Sequence, residues 1–318
     1  MSDWKVAEAA QPKREHYSYD LDAVLASMVG IRSVIPEDAF TAETLGTERA
    51  GHGVLIGKGL VLTIGYLITE AERIWLTLSD GRVVEGHALA YDYESGFGLV
   101  QVLAKIDLPF VPIGQSARAR VGDAVVLAGA GGRACSVASQ VVAKQEFAGY
   151  WEYVLDEAIF TEPAHPNWGG TAMIGSKGEL LGIGSLQLEQ SRGKGHVNMI
   201  VPIDLLVPVL DDLMRLGRPD RPARPWLGVF ATEVEDQVVV VGVAERGPAH
   251  RADLRTGDVI LAVDDNEVSD LADFYRAMWA LGNAGVEVPL TVFRDGDTFD
   301  VTINSTDRTK LLKVPRIH

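Results

Sequence analysis

Short apolar runs punctuated by glycine or charged residues dominate the chain from Gly51 onward. Gly53-Val54-Leu55-Ile56, Gly59-Leu60-Val61-Leu62-Thr63 and Ile74-Trp75-Leu76-Thr77-Leu78 form one set. They read as strands of a small antiparallel barrel. Ala124 to Ala128, Val137 to Val142 and Leu180 to Gly184 form a second set and predict a second barrel. Helical spacing appears three times. Leu21, Val24, Leu25 and Met28 predict a short amphipathic helix. Leu205, Leu206, Val209, Leu210, Leu213 and Leu216 mark one face of a helix running from Pro202 to Leu216. Leu271, Phe274, Met278 and Leu281 predict a helix over Asp270 to Leu281, set among short strands between 226 and 304. The connector from Gly217 to Pro225 is proline-rich and charged and cannot continue a helix, so the main domain boundary falls there. The first 17 residues read as a loose polar end, and the tail with Arg308, Lys310, Lys313 and Arg316 as solvated.

Composition narrows the functional classes. With 318 residues and 47% hydrophobic content, the chain can fill more than one core. A formal net charge of -15 excludes nucleic acid as a partner, because phosphate binders carry a basic face. Cys135 is the single cysteine and reads as a small buried hydrophobe, with no internal disulfide. His52 and His165 lack zinc-type spacing, so no metal and no cofactor are expected. The first 25 residues hold no apolar core of signal-peptide length, and no stretch of about 18 apolar residues occurs. The expectation is therefore a cytoplasmic protein without membrane insertion.

Candidate chemistry enters through a run of motifs. Gly51 to Ile56 and Gly59 to Ile68 resemble the segment that carries the general base in the HtrA/DegP type of trypsin-like serine proteases. In this resemblance Tyr66 stands where the family has histidine, and a phenol with an unperturbed pKa near 10 is a poor base. Asp80-Gly81-Arg82 and Asp92 to Val100 continue the match, and the family's orienting aspartate falls on Gly96. Ile113 to Ser116 and Val121 to Val125 keep the register. Thr161 to Gly170 resembles the nucleophile loop, shortened by two residues, with Trp168 on the serine and Pro166 on the oxyanion-hole glycine. Proline has no N–H to give. Losing one such donor costs about 2.7–4 kcal/mol, and losing the nucleophile or base costs roughly a million-fold in turnover. The resemblance so degenerated implies a pseudoprotease and not an enzyme, with Trp168 plugging the cleft. Two alternatives stay open: an active endopeptidase using a relocated site, for which His52, His165, Ser95 and Thr171 are the available groups, or a regulatory subunit of an active homologue.

Trp226 to Val229 followed by Gly247 to Ile260 is similar to the PDZ module of the same family. That similarity implies a protein or peptide ligand, held by Trp226, Leu227, Gly228, Val229 and Phe230 through backbone capture of a terminal carboxylate. The implied role is scaffold, adaptor or regulator. The expected architecture is mainly β: an N-terminal segment with a short helix (1–30), a trypsin-like double β-barrel (31–205), a helix and linker (206–225), a PDZ domain (226–305) and a basic tail (306–318). The family's trimers form through N-terminal aromatics, for which Trp4, Tyr17 and Tyr19 are available, so a homo-trimer is the implied assembly.

Overall fold

The computed structural model describes residues 5–190 and 195–313. The chain divides into two compact units. One comprises Met1–Gln145, Glu157–Asp220 and Lys313–His318, the other Glu146–Asp156 and Arg221–Leu312.

The first unit holds two closed antiparallel barrels. The first is built from β1 (Met28–Val34), β2 (Glu48–Gly57), β3 (Leu60–Ile64), β4 (Arg73–Thr77), β5 (Val83–Tyr91) and β6 (Phe97–Val102), in the order β1-β2-β3-β6-β5-β4. The second uses β7 (Ala124–Ala128), β8 (Ser136–Gly149), β9 (Tyr153–Glu162), β10 (Ala172–Ile174), β11 (Leu180–Glu189) and β12 (His196–Pro202), in the order β10-β11-β12-β9-β8-β7. Closure removes free sheet edges, and alternate side chains fill each lumen. Val54, Leu62, Leu76 and Leu99 are fully buried in the first barrel. Leu127, Val141, Ile159, Met173 and Ile200 form the core of the second.

Two helical readings shorten. The first helix, α1 (Leu21–Leu25), is capped by Asp20, which accepts from the Ala23 N–H, and Met28 already belongs to β1. The run from Pro202 breaks up because β12 pairs with β11 through Pro202 (Gly182↔Pro202, Ile183↔Val201). A 3-10 turn follows, and α2 spans only Leu210–Leu216, closed by Gly217 at φ 72°. Leu213 is its buried residue, and Leu206 and Val209 are buried just ahead of it. The N-terminal stretch is also less loose than its polarity suggests. Val6 packs into the second barrel's core, and its N–H donates to Ala134 O at 2.8 Å. Tyr19 rests against Gly178, while Trp4 lies outside the described residues. In the tail, the Lys313 N–H donates to Glu70 Oε1 at 2.9 Å and its ammonium pairs with Asp38; Arg316 lies outside the described residues.

The second unit is a sheet of β13 (Val229–Val234), β14 (Gln237–Val243), β15 (Val259–Val263), β17 (Glu287–Arg294) and β18 (Asp297–Asn304), with β16 (Asn266–Glu267) on β15. The helix α3 (Leu271–Ala280) starts at the Asp270 cap and buries Leu271, Phe274, Tyr275 and Met278 against Val229, Val240 and Val292. Ala148 and Val154, from the tip between β8 and β9, pack on this same core. No helix among the described residues is long and apolar enough to cross a membrane.

Candidate functional site

β3 ends in a 3-10 turn, Gly65–Leu67, that presents Tyr66. The turn fits because Gly65 has no side chain: a Cβ there would lie 2.2 Å from the Tyr91 ring. The Gly65 N–H donates to Gly96 O at 2.7 Å. Gly96 is at φ 85°, closing a turn in which the buried Asp92 carboxylate accepts from the Glu94 and Ser95 N–H groups and from Ser95 Oγ. Arg49, 5% exposed, clamps the turn from below. Its guanidinium donates to Tyr66 O (2.8 Å), Thr69 O (3.0 Å), Gly46 O (3.2 Å), Thr41 O (3.2 Å) and Thr41 Oγ1 (2.7 Å). Thr41 Oγ1 in turn donates to Glu70 Oε2 at 2.6 Å.

The phenol of Tyr66 reaches the second barrel and donates to Ser185 O at 2.8 Å. Burial pushes that phenol well above its ordinary pKa, against the pull of a hydrogen bond from Trp168. An indole can only donate, so the order is Trp168 to Tyr66 to Ser185. Tyr66 and Trp168 thus meet between the barrels, while Gly96 is tied through Gly65 to the turn behind Tyr66. Tyr66 and Trp168 supply two donors and no base. Beside them lies an open depression of 220 Å³ lined by Leu45, Glu48, Arg49, Ala50, Tyr66 and Leu67.

The loop carrying Trp168 is pinned from both ends. Trp168 O accepts from the Thr171 N–H (3.1 Å) and Oγ1 (2.9 Å), and Gly169 O accepts from the His52 N–H (2.8 Å). Gly170 sits at φ 78°, where a Cβ would stand 1.9 Å from His52 O. Pro166 is exposed, and the next N–H, Asn167, is spent on His165 Nδ1 at 3.2 Å. His165 is fully buried with Nε2 on Cys135 O at 3.0 Å, an arrangement that fixes the proton on Nε2. Its ring meets that of His52 edge-on, 5.6 Å apart at 80°. His52 Nδ1 accepts from the Ala130 N–H at 3.1 Å, and the buried Nε2 lies toward the main chain of Asn167. Burial first, and the neighbouring His165 second, push His52 down to about 3. His165 is pushed down by burial too. The structure therefore brings the two histidines together, but Ser95 Oγ is engaged by Asp92 and Thr171 Oγ1 by Trp168 O. Among the described residues no group of three or more His, Cys, Asp or Glu is placed to hold a metal ion.

In the other unit, Trp226 to Phe230 lead into β13. Gly228 is at φ 79°, which turns three successive N–H groups the same way. Leu227 N (3.2 Å to each oxygen), Gly228 N (2.7 Å) and Val229 N (2.9 Å) all donate to the carboxylate of Glu152. Trp226 lies beneath Gly228, and Phe230 faces Tyr150 with ring centroids 5.9 Å apart. Glu152 is the functional residue the sequence reading missed. Its only signal was a carboxylate among aromatics, Tyr150-Trp151-Glu152-Tyr153, in a segment between two strands.

A trypsin-like peptidase domain profile matches residues 51–183 and a PDZ domain profile matches residues 225–304. A Pseudomonas fulva protein described as a probable periplasmic serine endoprotease, DegP-like, is 31% identical over 265 residues, covering 78% of this chain and 54% of its own length. A Haemophilus influenzae probable periplasmic serine protease, do/HhoA-like, is 28% identical over 272 residues, covering 79% and 57%. The chain belongs to the HtrA-type family. It spans a little over half the length of these curated relatives. In fold it is like a serine endoprotease from Yersinia pestis (TM-score 0.53, 23% identity, 93% of this chain and 98% of that one) and the HtrA-type protease AlgW solved with a tripeptide (TM-score 0.53, 23%, 93% and 97%).

Two expectations are corrected by these relatives. The reading of this HtrA-type chain as a pseudoprotease outside the enzymes is overturned, because the relatives are named serine proteases and endoproteases. That reading rests on the chemistry of positions 66, 96, 166 and 168, with a relocated site drawing on His52, His165, Ser95 or Thr171 as its alternative. The cytoplasmic reading is overturned because the relatives are named periplasmic. A leader is not part of the folded domain, so the residues present are no guide to the compartment.

Proposed function

We propose that this chain captures carboxylate ends of peptides or proteins through its PDZ unit and serves HtrA-type proteolysis in mixed assemblies with a homologous protease. The observation that carries the reading is the convergence of the Leu227, Gly228 and Val229 N–H groups on one carboxylate. Backbone donors fanned around a single anion are the device by which a terminal carboxylate is held. A relative in fold, AlgW, has been solved with a tripeptide and with a decapeptide. In this reading Tyr66, Gly96 and Trp168 stand at the base, orienting-acid and nucleophile positions of the family, and Pro166 at the oxyanion position. The test is casein hydrolysis by an active HtrA-type protease with and without this chain, with light scattering to read a mixed trimer. A changed rate and a mixed assembly are expected; an unchanged rate with two separate species would contradict the proposal.

A second reading is an endopeptidase acting through groups other than those at 66, 96 and 168. The relatives' names favour it, and so does the pair of buried histidines, His52 and His165, beside the Trp168 loop. Fluorophosphonate labelling of the purified chain decides between the two: a labelled serine or threonine that is lost on unfolding supports the endopeptidase, and no label rejects it.

A further inference from the structure

The carboxylate loop of the PDZ unit is already filled by the chain itself. Residues 146–156, the tip joining β8 and β9, belong to the same compact unit as Arg221–Leu312. Four features hold the tip there. The Glu152 carboxylate takes the three N–H groups of the loop. Tyr150 O accepts from the Ala231 N–H at 3.0 Å, so the tip pairs with β13 as an extended peptide would. The Tyr150 ring lies against Phe230. Arg276, on α3, binds both legs of the tip, donating to Asp156 at 2.6 Å and pairing with Glu146.

Glu152 is also strained. Its φ is 61°, a left-handed conformation that costs a non-glycine residue energy unless the surroundings impose it. Here the carboxylate's bonds impose it. The carboxyl is fully enclosed and burial pushes it up to about 7, with the three N–H groups and Arg308 pulling the other way. Arg308 and Tyr275 are the charged and titratable groups that face it. Trp151 folds back over Gly149 and stacks on Tyr153, 5.4 Å away, which turns Glu152 inward.

We propose that the tip at residues 149–153 is a built-in ligand of the PDZ groove, with the Glu152 side chain in the place of a chain-terminal α-carboxylate, so that an outside C-terminus binds only when the tip leaves. The inference rests on reading Leu227–Val229 as a carboxylate-capturing loop. It deepens that reading by naming the competitor. The apparent affinity for any outside peptide is lowered by the fraction of molecules whose tip is docked.

The probe is a fluorescein-labelled peptide, Glu-Phe-Ala-Gly-Tyr-Trp-Val, which copies the tip and ends in a free α-carboxylate where Glu152 would branch; its C-terminal amide is the control. Binding to the full chain is measured at pH 8 by anisotropy. Glu152→Ala and Glu152→Gln should each bind the free acid at least tenfold more tightly than the wild type, and the amide should bind none of the three. In the wild type, saturating free acid should speed hydrogen exchange at residues 149–153 while leaving the amides of 227–229 protected. Equal affinity for wild type and both variants, with no change in exchange at the tip, overturns the built-in ligand and leaves carboxylate capture standing. No binding to any variant, or equal binding of acid and amide, overturns carboxylate capture and this inference with it.

Discussion

Replacing Arg49 by methionine should cost the barrel unit about 3 kcal/mol. The guanidinium makes five hydrogen bonds, four of them to main-chain carbonyls at Gly46, Thr41, Tyr66 and Thr69. Methionine fills much of the same volume and donates nothing. Breaking a buried charge away from its partners costs about 3–5 kcal/mol, and each orphaned acceptor about 1–3 kcal/mol. The depression that Arg49 lines lets water reach some of those carbonyls, which places the loss at the lower end. Glu70 stays buried and keeps its bonds from the Phe40 and Thr41 N–H groups, so its charge is not stranded. For a unit of this size about 1 kcal/mol corresponds to roughly 2–4 °C, giving a fall of about 6–12 °C in the barrel transition. Calorimetry on the full chain reads it directly. Arg49→Lys is the informative companion, because an ammonium keeps the charge and cannot span the carbonyls at Gly46, Thr41, Tyr66 and Thr69. A loss under about 1 kcal/mol for the methionine variant, or a lysine variant as stable as wild type, would refute the clamp.

The histidine pair makes the barrels acid-sensitive. His52 has a folded pKa of about 3, below its ordinary 6.5, so its contribution is whole above about 6.5 and is lost as pH falls toward 3. Between pH 7 and 5 that is about 2 kcal/mol, visible in urea midpoints of the barrel transition; a flat profile would sink it. Glu152 has the opposite sign. Its folded pKa of about 7 lies above the ordinary 4.5, so its contribution is complete below about 4.5 and disappears as pH rises through 7. The gap in stability between wild type and Glu152→Gln should shift by about 2–3 kcal/mol from pH 5 to 8, and a constant gap would contradict the assignment. Gly170→Ala places a Cβ 1.9 Å from His52 O and 2.6 Å from Thr63 Oγ1 at φ 78°. It should cost more than about 3 kcal/mol, and a melting shift too small to measure would show that the loop is not pinned.

Barrel strands were legible because short apolar runs between glycine or charged turns have few other physical readings. Val54, Leu62 and Leu76, one from each of the first three runs, are buried in the first barrel. The run from Pro202 reads as too long a helix: β12 continues through Pro202 and a 3-10 turn takes Ile203–Leu205, yet Leu206, Val209 and Leu213 stay buried at the spacing a helix would give, so the apolar pattern alone does not mark where α2 begins. The positions Tyr66, Gly96 and Trp168 come from the family resemblance of their motifs, and each lies in or beside a turn with glycines nearby. Glu152 could not be placed in that way. Its role depends on main-chain groups 75 to 77 residues away, and nothing local distinguishes a carboxylate destined for an N–H cradle from one left in solvent. The same holds for the His52 and His165 rings, whose edge-on contact is a product of the two barrels meeting.

The central claim is that the loop at Leu227, Gly228 and Val229 recognises a free carboxylate at a peptide's end. Amide spectra of the isotopically labelled full chain, recorded on the Glu152→Ala variant while the free-acid peptide is added, test it most directly. The account predicts large shifts at those three amides with the acid and none with the C-terminal amide. Shifts of equal size with both peptides, or shifts confined to residues outside the loop, would contradict it.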